Sequence, residues 1–235
     1  MEKRDAIYEG KAKVLFATDD PDLLVQYFKD DATAFNRKKT GSIDNKGVFN
    51  CRISTVIFEL LAKEGVPTHL VQTLNEREQL IKKVTILPVE VVVRNRLAGS
   101  LAKRLGLDEG RELSRPLIEF YYKCDELDDP LITFDQAEVL GFLSADEIAA
   151  VVKYTAKVNA VLSKFFLDRG IILVDFKIEF GKRPDGTILL ADEISPDSCR
   201  LWEVGTLRKL DKDRFRRDLG SIEEAYAEVL KRVEG

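Results

Sequence analysis

Apolar and polar residues alternate along residues 171–180, a pattern typical of a β-strand with one buried face. The apolar residues of one parity are Ile172, Val174, Phe176, Ile178 and Phe180. The charged residues of the other parity are Asp175, Lys177 and Glu179. Because successive side chains of a strand point to opposite faces, the pattern predicts a strand that presents three charged groups together.

A turn and a second apolar run follow this strand and predict a β-hairpin. Asp185-Gly186 is a strong signal for a two-residue hairpin turn. That turn places Glu179 directly opposite Asp192, where the two carboxylates repel each other. A Mg²⁺ ion between them would remove the repulsion, since Mg²⁺ is usually held by one or two carboxylates and substrate phosphates. The alternatives are a solvated face with an ion pair along the strand, or a three-residue turn that shifts the register by one.

The first hundred residues contain many short β-branched runs, which predict strands. The predicted strands cover residues 13–18, 24–28, 33–35, 68–73, 81–87 and 89–95. Pro88 separates the last two and predicts a bend or an edge position. Residues 36–47 are polar, basic and turn-forming, and predict a mobile loop. A helix is predicted over residues 48–64, with Gly65 as its stop.

Helix signals dominate the second half of the chain. A short helix is predicted over residues 96–107, and a strand over 120–124. Ser144 and Ser221 each open a capping-box pattern, which predicts one helix to about residue 168 and another to about residue 232.

The order of these elements indicates an α+β fold, with strands first and then helices and one hairpin. We expect a β-rich region over residues 1–95 and an α+β region over residues 96–235. The sequence contains no internal repeat and no Pro/Ser-rich linker, so we expect the two regions to pack closely around a cleft.

Composition excludes several classes of protein. Apolar residues make up 45% and charged residues 33% of the 235 residues, which is ordinary for a soluble globular protein. The net charge of −4 argues against a general nucleic-acid coat. We find no apolar run long enough to span a membrane and no signal-peptide core. Three widely spaced cysteines predict reduced thiols in the cytoplasm, and the single histidine, His69, predicts a structural role.

Two stretches contain candidate phosphate ligands. Gly10 starts a turn into a strand on which Lys11 and Lys13 share one parity, so both ammonium groups face one anion. No Walker A pattern is present. The alternative interpretation is a solvated start of a strand. Arg94 ends a β-branched run, and Ser100 follows near a helix start, which also suits a phosphate; an ordinary cap with surface arginines is equally consistent.

A third stretch follows the predicted metal pair. Asp197 and Arg200 crowd a turn immediately after Asp192, and a turn rich in Asp and Ser is otherwise just a turn. Lys123 follows two tyrosines and is either a partly buried cation or an exposed ion-pair member. Lysines for nucleotide phosphates, carboxylates for Mg²⁺ and arginines for a second anion together meet the needs of phosphoryl transfer.

These stretches resemble the motifs of one family, in family order and over nearly the whole chain. They are YEGKAK (8–13), KKTGSIDNKG (38–47), VVVRNRLAGS (91–100), FYYK (120–123), LVDFKIEFG (173–181) and DEISPDSCR (192–200). The family is SAICAR synthetase, the phosphoribosylaminoimidazole-succinocarboxamide synthases. The last two motifs are highly specific in combination.

The resemblance implies an ATP-dependent ligase of de novo purine synthesis. Such an enzyme joins 4-carboxy-5-aminoimidazole ribonucleotide (CAIR) to L-aspartate and releases ADP and phosphate. The implied fold has a small antiparallel β-rich nucleotide-binding lobe and a larger α+β lobe, related to kinase and ATP-grasp folds. The implied state is a cytoplasmic homodimer that uses ATP and Mg²⁺, with no nucleic-acid or membrane partner.

The resemblance also implies residue roles. Those for ATP are Gly10, Lys11, Ala12, Lys13, Lys123 and Lys177. Those for Mg²⁺ are Glu179 and Asp192, the pair that the hairpin register also predicts. Those for CAIR are Arg94, Ser100, Asp197 and Arg200. The 36–47 segment resembles a closing loop in which Lys38, Lys39 or Lys46 contributes.

The implied reaction has two steps. The CAIR carboxylate attacks the γ-phosphorus of ATP, while Mg²⁺ and lysines such as Lys177 neutralise charge, and an acyl phosphate forms. The aspartate amine then displaces phosphate, and Asp175 or Asp197 helps to deprotonate that amine. Closure over the substrates would keep water from the acyl phosphate.

Two other functions fit parts of the pattern. A small-molecule kinase on a related fold would also bind MgATP, but it would yield a stable phosphorylated acceptor. The ligase would release phosphate only when L-aspartate is present. A non-catalytic nucleotide- or RNA-binding module would bind without turnover, and the acidic isoelectric point and lack of aromatic–basic interleaving weigh against it.

Overall fold

The computed structural model describes residues 2–34 and 39–235 and has an α+β architecture. The strands are β1 (Lys3–Glu9), β2 (Lys13–Thr18), β3 (Leu23–Phe28), β4 (Asp31–Ala34), β5 (Lys39–Ser42), β6 (Leu70–Asn75), β7 (Glu78–Lys82), β8 (Thr85–Arg96), β9 (Glu112–Tyr122), β10 (Leu131–Ile132), β11 (Ile171–Lys182), β12 (Ile188–Ala191) and β13 (Cys199–Glu203). The helices are α1 (Lys46–Lys63), α2 (Gly99–Leu105), α3 (Phe134–Val139), α4 (Ala145–Leu167), α5 (Asp213–Arg216) and α6 (Ile222–Glu234).

The strands form two main antiparallel sheets. The N-sheet has the order β1-β2-β3-β7-β6, and the C-sheet has the order β10-β9-β8-β11-β12, with β13 also paired to β11. β4 and β5 pair with each other. Helix α1 contacts β3 of the N-sheet as well as helices α4 and α6, so it links the two parts of the fold. The predicted α+β class is confirmed.

The main hydrophobic core lies where α1, α4 and α6 cover the C-sheet. Its fully buried side chains include Ile57 of α1, Val158 of α4, Val229 of α6, and Val91 and Ile178 of the sheet. Burial of a side chain of this size contributes about 1.5–3 kcal/mol, so this layer fixes the position of β8 and β11. In the part of the chain that the structure describes, no helix combines the length and apolar character needed to cross a bilayer.

Strand β11 lies in the middle of the C-sheet, but its alternation changes at a β-bulge. Leu173 pairs with Leu201 and Asp175 with Arg200, so one extra residue, Val174, stands between the two pairs. Before the bulge, each side chain therefore lies on the opposite face of the sheet from the one that the alternation predicts. Leu173 packs in the main core, whereas Val174 packs in a separate cluster with Trp202.

The predicted break at Pro88 is wrong, because β8 is one strand that passes through it. Pro88 lies in a central strand instead of at an edge, and a register irregularity beside it accommodates the missing N–H. The predicted strand over 81–87 is wrong as well, since residues 83–84 separate β7 from β8. The chain leaves the N-sheet and enters the C-sheet there, and we propose this point as the domain boundary, in place of residue 95.

The segment predicted as a loop over residues 36–47 has regular structure at its C-terminal end. Residues 39–42 form β5, and Lys46 and Gly47 begin α1 after Asn45, whose φ is 59°. An irregular loop is therefore wrong for these residues. Residues 36–38, including Lys38, lie outside the described residues.

One of the two predicted capping boxes is confirmed. The Ser144 hydroxyl accepts a hydrogen bond from the Glu147 N–H, and the Glu147 side chain accepts one from the Ser144 N–H. Ser221 has a φ of 45° and its side chain makes no cap, so the second box is wrong although α6 starts at the next residue. The pattern Ser-x-x-Glu specifies a cap only when the serine backbone is extended.

We expect Ser144→Ala to lower the free energy of unfolding by about 0.5–2 kcal/mol, because the first turn of α4 loses a hydrogen-bond acceptor. The matched control is Ser221→Ala, which should change it by less than about 0.5 kcal/mol, since no cap is lost. Urea unfolding followed by circular dichroism measures both. Equal losses in the two variants would contradict the assignment of the caps.

Candidate active site

A cavity of about 990 Å³ lies between the two sheets. The N-sheet contributes residues such as Lys13 and Leu24 to its wall, and the C-sheet contributes Glu90, Lys177 and Glu179. The apolar and charged parts of this wall suit a ligand with one apolar end and one strongly charged end.

The predicted hairpin forms, but the predicted pairing of Glu179 with Asp192 is wrong. Glu179 lies opposite Ala191, because the turn contains three residues instead of two. The Arg183 N–H donates to the Thr187 carbonyl and closes this turn, in which Gly186 has a φ of +85°. The register is shifted by one residue, as a three-residue turn requires.

Asp192 nevertheless reaches the same place as Glu179, through its backbone conformation. Its φ of 62° lies in the left-handed region, which few residues other than Gly, Asn and Asp adopt. The Lys177 ammonium lies 2.7 Å from Glu179 Oε1 and 3.7 Å from Asp192 Oδ2, so both carboxylates approach one cation. The sequence-predicted convergence is therefore present, with a different geometric cause.

A second carboxylate, missed by sequence reasoning, lies directly across the ladder from Glu179. Glu90 of β8 is its cross-strand partner, and Glu90 Oε1 lies 2.9 Å from the Lys177 ammonium. Lys123 lies 2.7 Å from Glu179 Oε2. A lone Glu inside a valine-rich strand was a usable signal, because a charge on a partly buried strand face needs a partner of opposite charge.

The pKa values of Lys177, Glu179 and Asp192 are shifted by burial and by their mutual charges. Burial lowers the pKa of Lys177, but Glu179, Glu90 and Asp192 raise it by more, so it lies well above its usual value. Burial raises the pKa of Glu179 while Lys177 lowers it, with a net decrease despite repulsion from Asp192. Burial raises the pKa of Asp192, but Lys13 and Lys177 lower it by more, so it lies below its usual value. All these groups are charged at neutral pH.

Lys13 completes the charged wall from the N-sheet side. Its ammonium forms an ion pair with Asp192 and lies 3.4 Å from Glu193 Oε1. Burial lowers its pKa, but these two carboxylates raise it above the usual value. Glu193 was not predicted, although it is adjacent in sequence to Asp192.

Gly10, Lys11 and Ala12 form the turn between β1 and β2 and line the cavity, as the sequence predicts. The Gly10 N–H donates to the Lys13 carbonyl, and the Ala12 carbonyl accepts from the Lys29 N–H. The Lys11 ammonium lies 2.8 Å from Asp125 on the opposite wall. These contacts fix the turn beside the ionised carboxylates.

Magnesium chemistry fits the two carboxylates, Glu179 and Asp192. Both are ionised and both face the cavity, where they repel each other. A divalent cation between them would remove that repulsion. Within residues 2–34 and 39–235, no group of three or more His, Cys, Asp or Glu residues is arranged to hold a metal. A site built from two carboxylates and substrate phosphates does not need such a group.

The predicted CAIR residues Arg94, Ser100 and Arg200 meet around Asp175. Arg94 is 2% exposed and donates to Asp175 Oδ2 at 3.0 Å, to Ser100 Oγ at 2.9 Å and to Glu119 Oε2 at 2.6 Å. Arg200 Nη1 lies 2.9 Å from the same Asp175 oxygen. These residues are brought together around the buried Asp175, but Arg200 is only partly buried, Ser100 is exposed, and none of the three is part of the wall described above.

The Arg200 guanidinium packs against Gly99, where any residue with a Cβ would overlap it. A Cβ built on Gly99 would lie 2.3 Å from Arg200 Nη2, and Gly99 has a φ of +54°. The Arg200 Nε donates to Asp213 at 3.1 Å. Two carboxylates and one glycine therefore set the guanidinium plane.

Asp197, the fourth predicted CAIR residue, lines the cavity away from the others. Its Oδ2 accepts from the Lys46 ammonium at 2.7 Å and its Oδ1 from the Tyr226 hydroxyl at 2.6 Å. Lys212 lies 3.5 Å from Oδ2. Burial raises the pKa of Asp197, but Lys212 and Lys46 lower it below the usual value. Tyr226 and Lys212 were not predicted, because neither α6 nor the segment before it contains a recognisable binding motif.

The remaining loop lysine and the histidine have structural contacts. Lys39 donates to the Phe215 carbonyl at 2.6 Å and to Asp218 at 2.6 Å. His69 is buried, with its ring 5.2 Å from that of Phe58, as expected for a structural residue. Burial lowers the pKa of His69 to about 3, so the imidazole is neutral, and it also lines the cavity.

Comparison with known proteins identifies the family. The model of the SAICAR synthetase family matches residues 6–233 of the chain. The chain is 60% identical to the phosphoribosylaminoimidazole-succinocarboxamide synthase of Magnetococcus marinus, over 99% of this chain and 97% of the relative. It is 57% identical to the enzyme of the same name from Clostridium botulinum, over 99% of both chains.

Solved structures agree with this result. The crystal structure of phosphoribosylaminoimidazole-succinocarboxamide synthase from Ehrlichia chaffeensis has a TM-score of 0.96 and 46% identity, and the match covers 98% of both chains. A SAICAR synthetase in complex with ADP has a TM-score of 0.93 and 50% identity, over 96% of both chains. The chain therefore belongs to the SAICAR synthetase family of ATP-dependent ligases, which join CAIR to L-aspartate in purine biosynthesis.

Proposed function

We propose that the cavity between the N-sheet and the C-sheet is the active site in which this chain forms SAICAR. The observation that supports this most directly is the convergence of Glu179 and Asp192 on Lys177, in a cavity that the Gly10–Lys13 turn also lines. A similar protein of known structure is in complex with ADP, which agrees with a nucleotide in this family.

The lysines and the turn hold the ATP phosphates in this proposal. Gly10, Lys11, Ala12 and Lys13 approach the phosphates from the N-sheet, where a glycine turn lets backbone groups come close. Lys123 and Lys177 approach from the C-sheet. Their carboxylate partners hold both ammonium groups in place before the nucleotide arrives, and they keep Lys177 charged.

Glu179 and Asp192 hold Mg²⁺. When bound, the ion neutralises charge on the transferred phosphoryl group and orients its oxygens. Lys177 and Lys123 then turn from these carboxylates to the phosphates, which their flexible side chains permit.

Arg200, Ser100 and Asp197 contact CAIR, and Arg94 positions Ser100 directly and Arg200 through Asp175. Arg94 is too buried and too fully hydrogen-bonded to take a substrate anion itself, so it orients Ser100 and Asp175. Asp175 in turn holds Arg200. This assignment moves Asp175 from the reacting groups to the supporting ones.

The reaction follows from these placements. The CAIR carboxylate attacks the γ-phosphorus, and Lys13, Lys123 and Lys177 stabilise the charge that develops on the phosphoryl oxygens. The resulting acyl phosphate is attacked by the aspartate amine, which forms the amide and releases phosphate. Asp197 is held ionised by its cations and has a lowered pKa, so it is a weak base, and we assign it an orienting role.

We also propose that the protein works as a homodimer in the cytoplasm, as the family resemblance implies. Its three cysteines, Cys51, Cys124 and Cys199, are free thiols, which agrees with a reducing compartment.

We expect Glu179→Gln or Asp192→Asn to lower kcat by at least about 100-fold, because each removes a charge that holds the metal and orients the phosphates. Phosphate release measured at saturating CAIR, L-aspartate and MgATP, over a Mg²⁺ titration, provides the test. Circular dichroism controls for folding. Near-normal turnover at saturating Mg²⁺ would refute the metal assignment.

We expect Arg200→Ala to raise the KM for CAIR by about 10- to 100-fold, equivalent to a lost charge-assisted contact of about 1.5–3 kcal/mol. Arg200→Lys is the matched control and should recover part of the effect, since it keeps the charge but loses the bidentate geometry. Initial rates with each substrate varied in turn separate the effects. An increase confined to the KM for ATP would place Arg200 at the nucleotide and contradict its assignment to CAIR.

A further inference from the structure

The two ends of the cavity differ in their balance of charge. At the proposed phosphate end, Lys13, Lys123 and Lys177 are surrounded by four carboxylates: Glu90, Glu179, Asp192 and Glu193. At the other end, around Asp197, the balance is reversed in favour of cations. A metal suits the first end, whereas the second end suits an anion.

The cationic end is built around one saturated carboxylate. Lys46 is fully buried and bonds Asp197 Oδ2, while Tyr226 donates to Oδ1. Lys212 lies 3.5 Å from the oxygen that Lys46 already uses. Asp197 is thus a single carboxylate in contact with two ammonium groups and a hydroxyl donor. Glu193 acts on Lys212 more weakly than Asp197 does, so positive charge remains in excess.

Arg216 adds a third cation to this wall. Its Nη1 bonds Asp213 Oδ1 at 2.6 Å, but the other Asp213 oxygen is shared with Arg200. Both Lys212 and Arg216 line the cavity. The two cations come from the same short segment that ends in α5, so one anionic ligand can contact both.

The pKa of Lys212 agrees with this imbalance. Burial lowers it, Asp197 opposes this only in part, and Lys46 and Arg216 lower it further. The lysines at the phosphate end behave in the opposite way, with raised pKa values. A bound carboxylate would supply the negative partner that Lys212 lacks and would favour its charged form.

We infer that Lys212 and Arg216 bind the carboxylates of L-aspartate. The inference rests on the proposed function, in which CAIR takes the Arg200 cluster and ATP takes the carboxylate-rich end. The remaining substrate, L-aspartate, has two carboxylates, one on its side chain and one on its α-carbon. Two neighbouring cations of the same wall, Lys212 and Arg216, can each pair with one of them.

The test uses Lys212→Met and Arg216→Met, which remove charge and keep much of the side-chain volume. We expect each to raise the KM for L-aspartate by about 10- to 100-fold, as for loss of one charge-assisted contact, with the KM values for ATP and CAIR changed by less than about threefold. Lys212→Arg and Arg216→Lys should stay close to the wild-type KM. Lys153→Met, on an exposed part of α4, is the matched surface control.

Several outcomes would overturn the inference. They are unchanged KM values, an increase in the KM for CAIR alone, or a lower kcat with every KM unchanged. Arg216 is partly exposed, so Arg216→Met decides the question if Lys212→Met does not fold. Aspartate-dependent phosphate release by the wild-type protein tests the proposed function separately, because its absence would refute that function and not only this subsite.

Discussion

The structure depends on keeping several carboxylates ionised inside a cavity. Glu90, Glu179 and Asp192 would each be costly to bury alone, and together they repel one another. The ammonium group of Lys177 lies among them, and Lys13 and Lys123 close the cluster from either side. This arrangement concentrates carboxylates on one wall of the cavity, and its ion pairs hold β8, β11 and β2 in fixed relative positions.

The sequence predicted the elements of this cluster better than its geometry. Alternation and the Asp185-Gly186 pair were enough to predict a hairpin, but turn length is decided by one residue, and it moved Asp192 out of register with Glu179. The left-handed backbone of Asp192 restored the convergence, and no local pattern marks that conformation. Glu90 faces Glu179 instead, which depends on a strand pairing between distant parts of the chain.

Other failures have the same origin. Ser144 and Ser221 carry equivalent capping patterns, and only the backbone angle at the serine distinguishes them. Arg94 and Ser100 were placed together because they are close in sequence, whereas the ion pair of Arg94 with Asp175 depends on β11. The cations around Asp197 come from α1 and from the segment before α6, so their excess of charge appears only after folding. The family resemblance supplied roles that these local signals did not.

The contact between Gly99 and Arg200 joins a backbone position to a charged group a hundred residues away in the chain. A Cβ at residue 99 would overlap the Arg200 guanidinium, so the arginine would have to shift from the position in which it pairs with Asp175. On the proposal that Arg200 holds the ribonucleotide, loss of ribonucleotide affinity can arise from a residue that touches no substrate. Substitutions at 99 and at 200 should then give the same phenotype in a survey of variants.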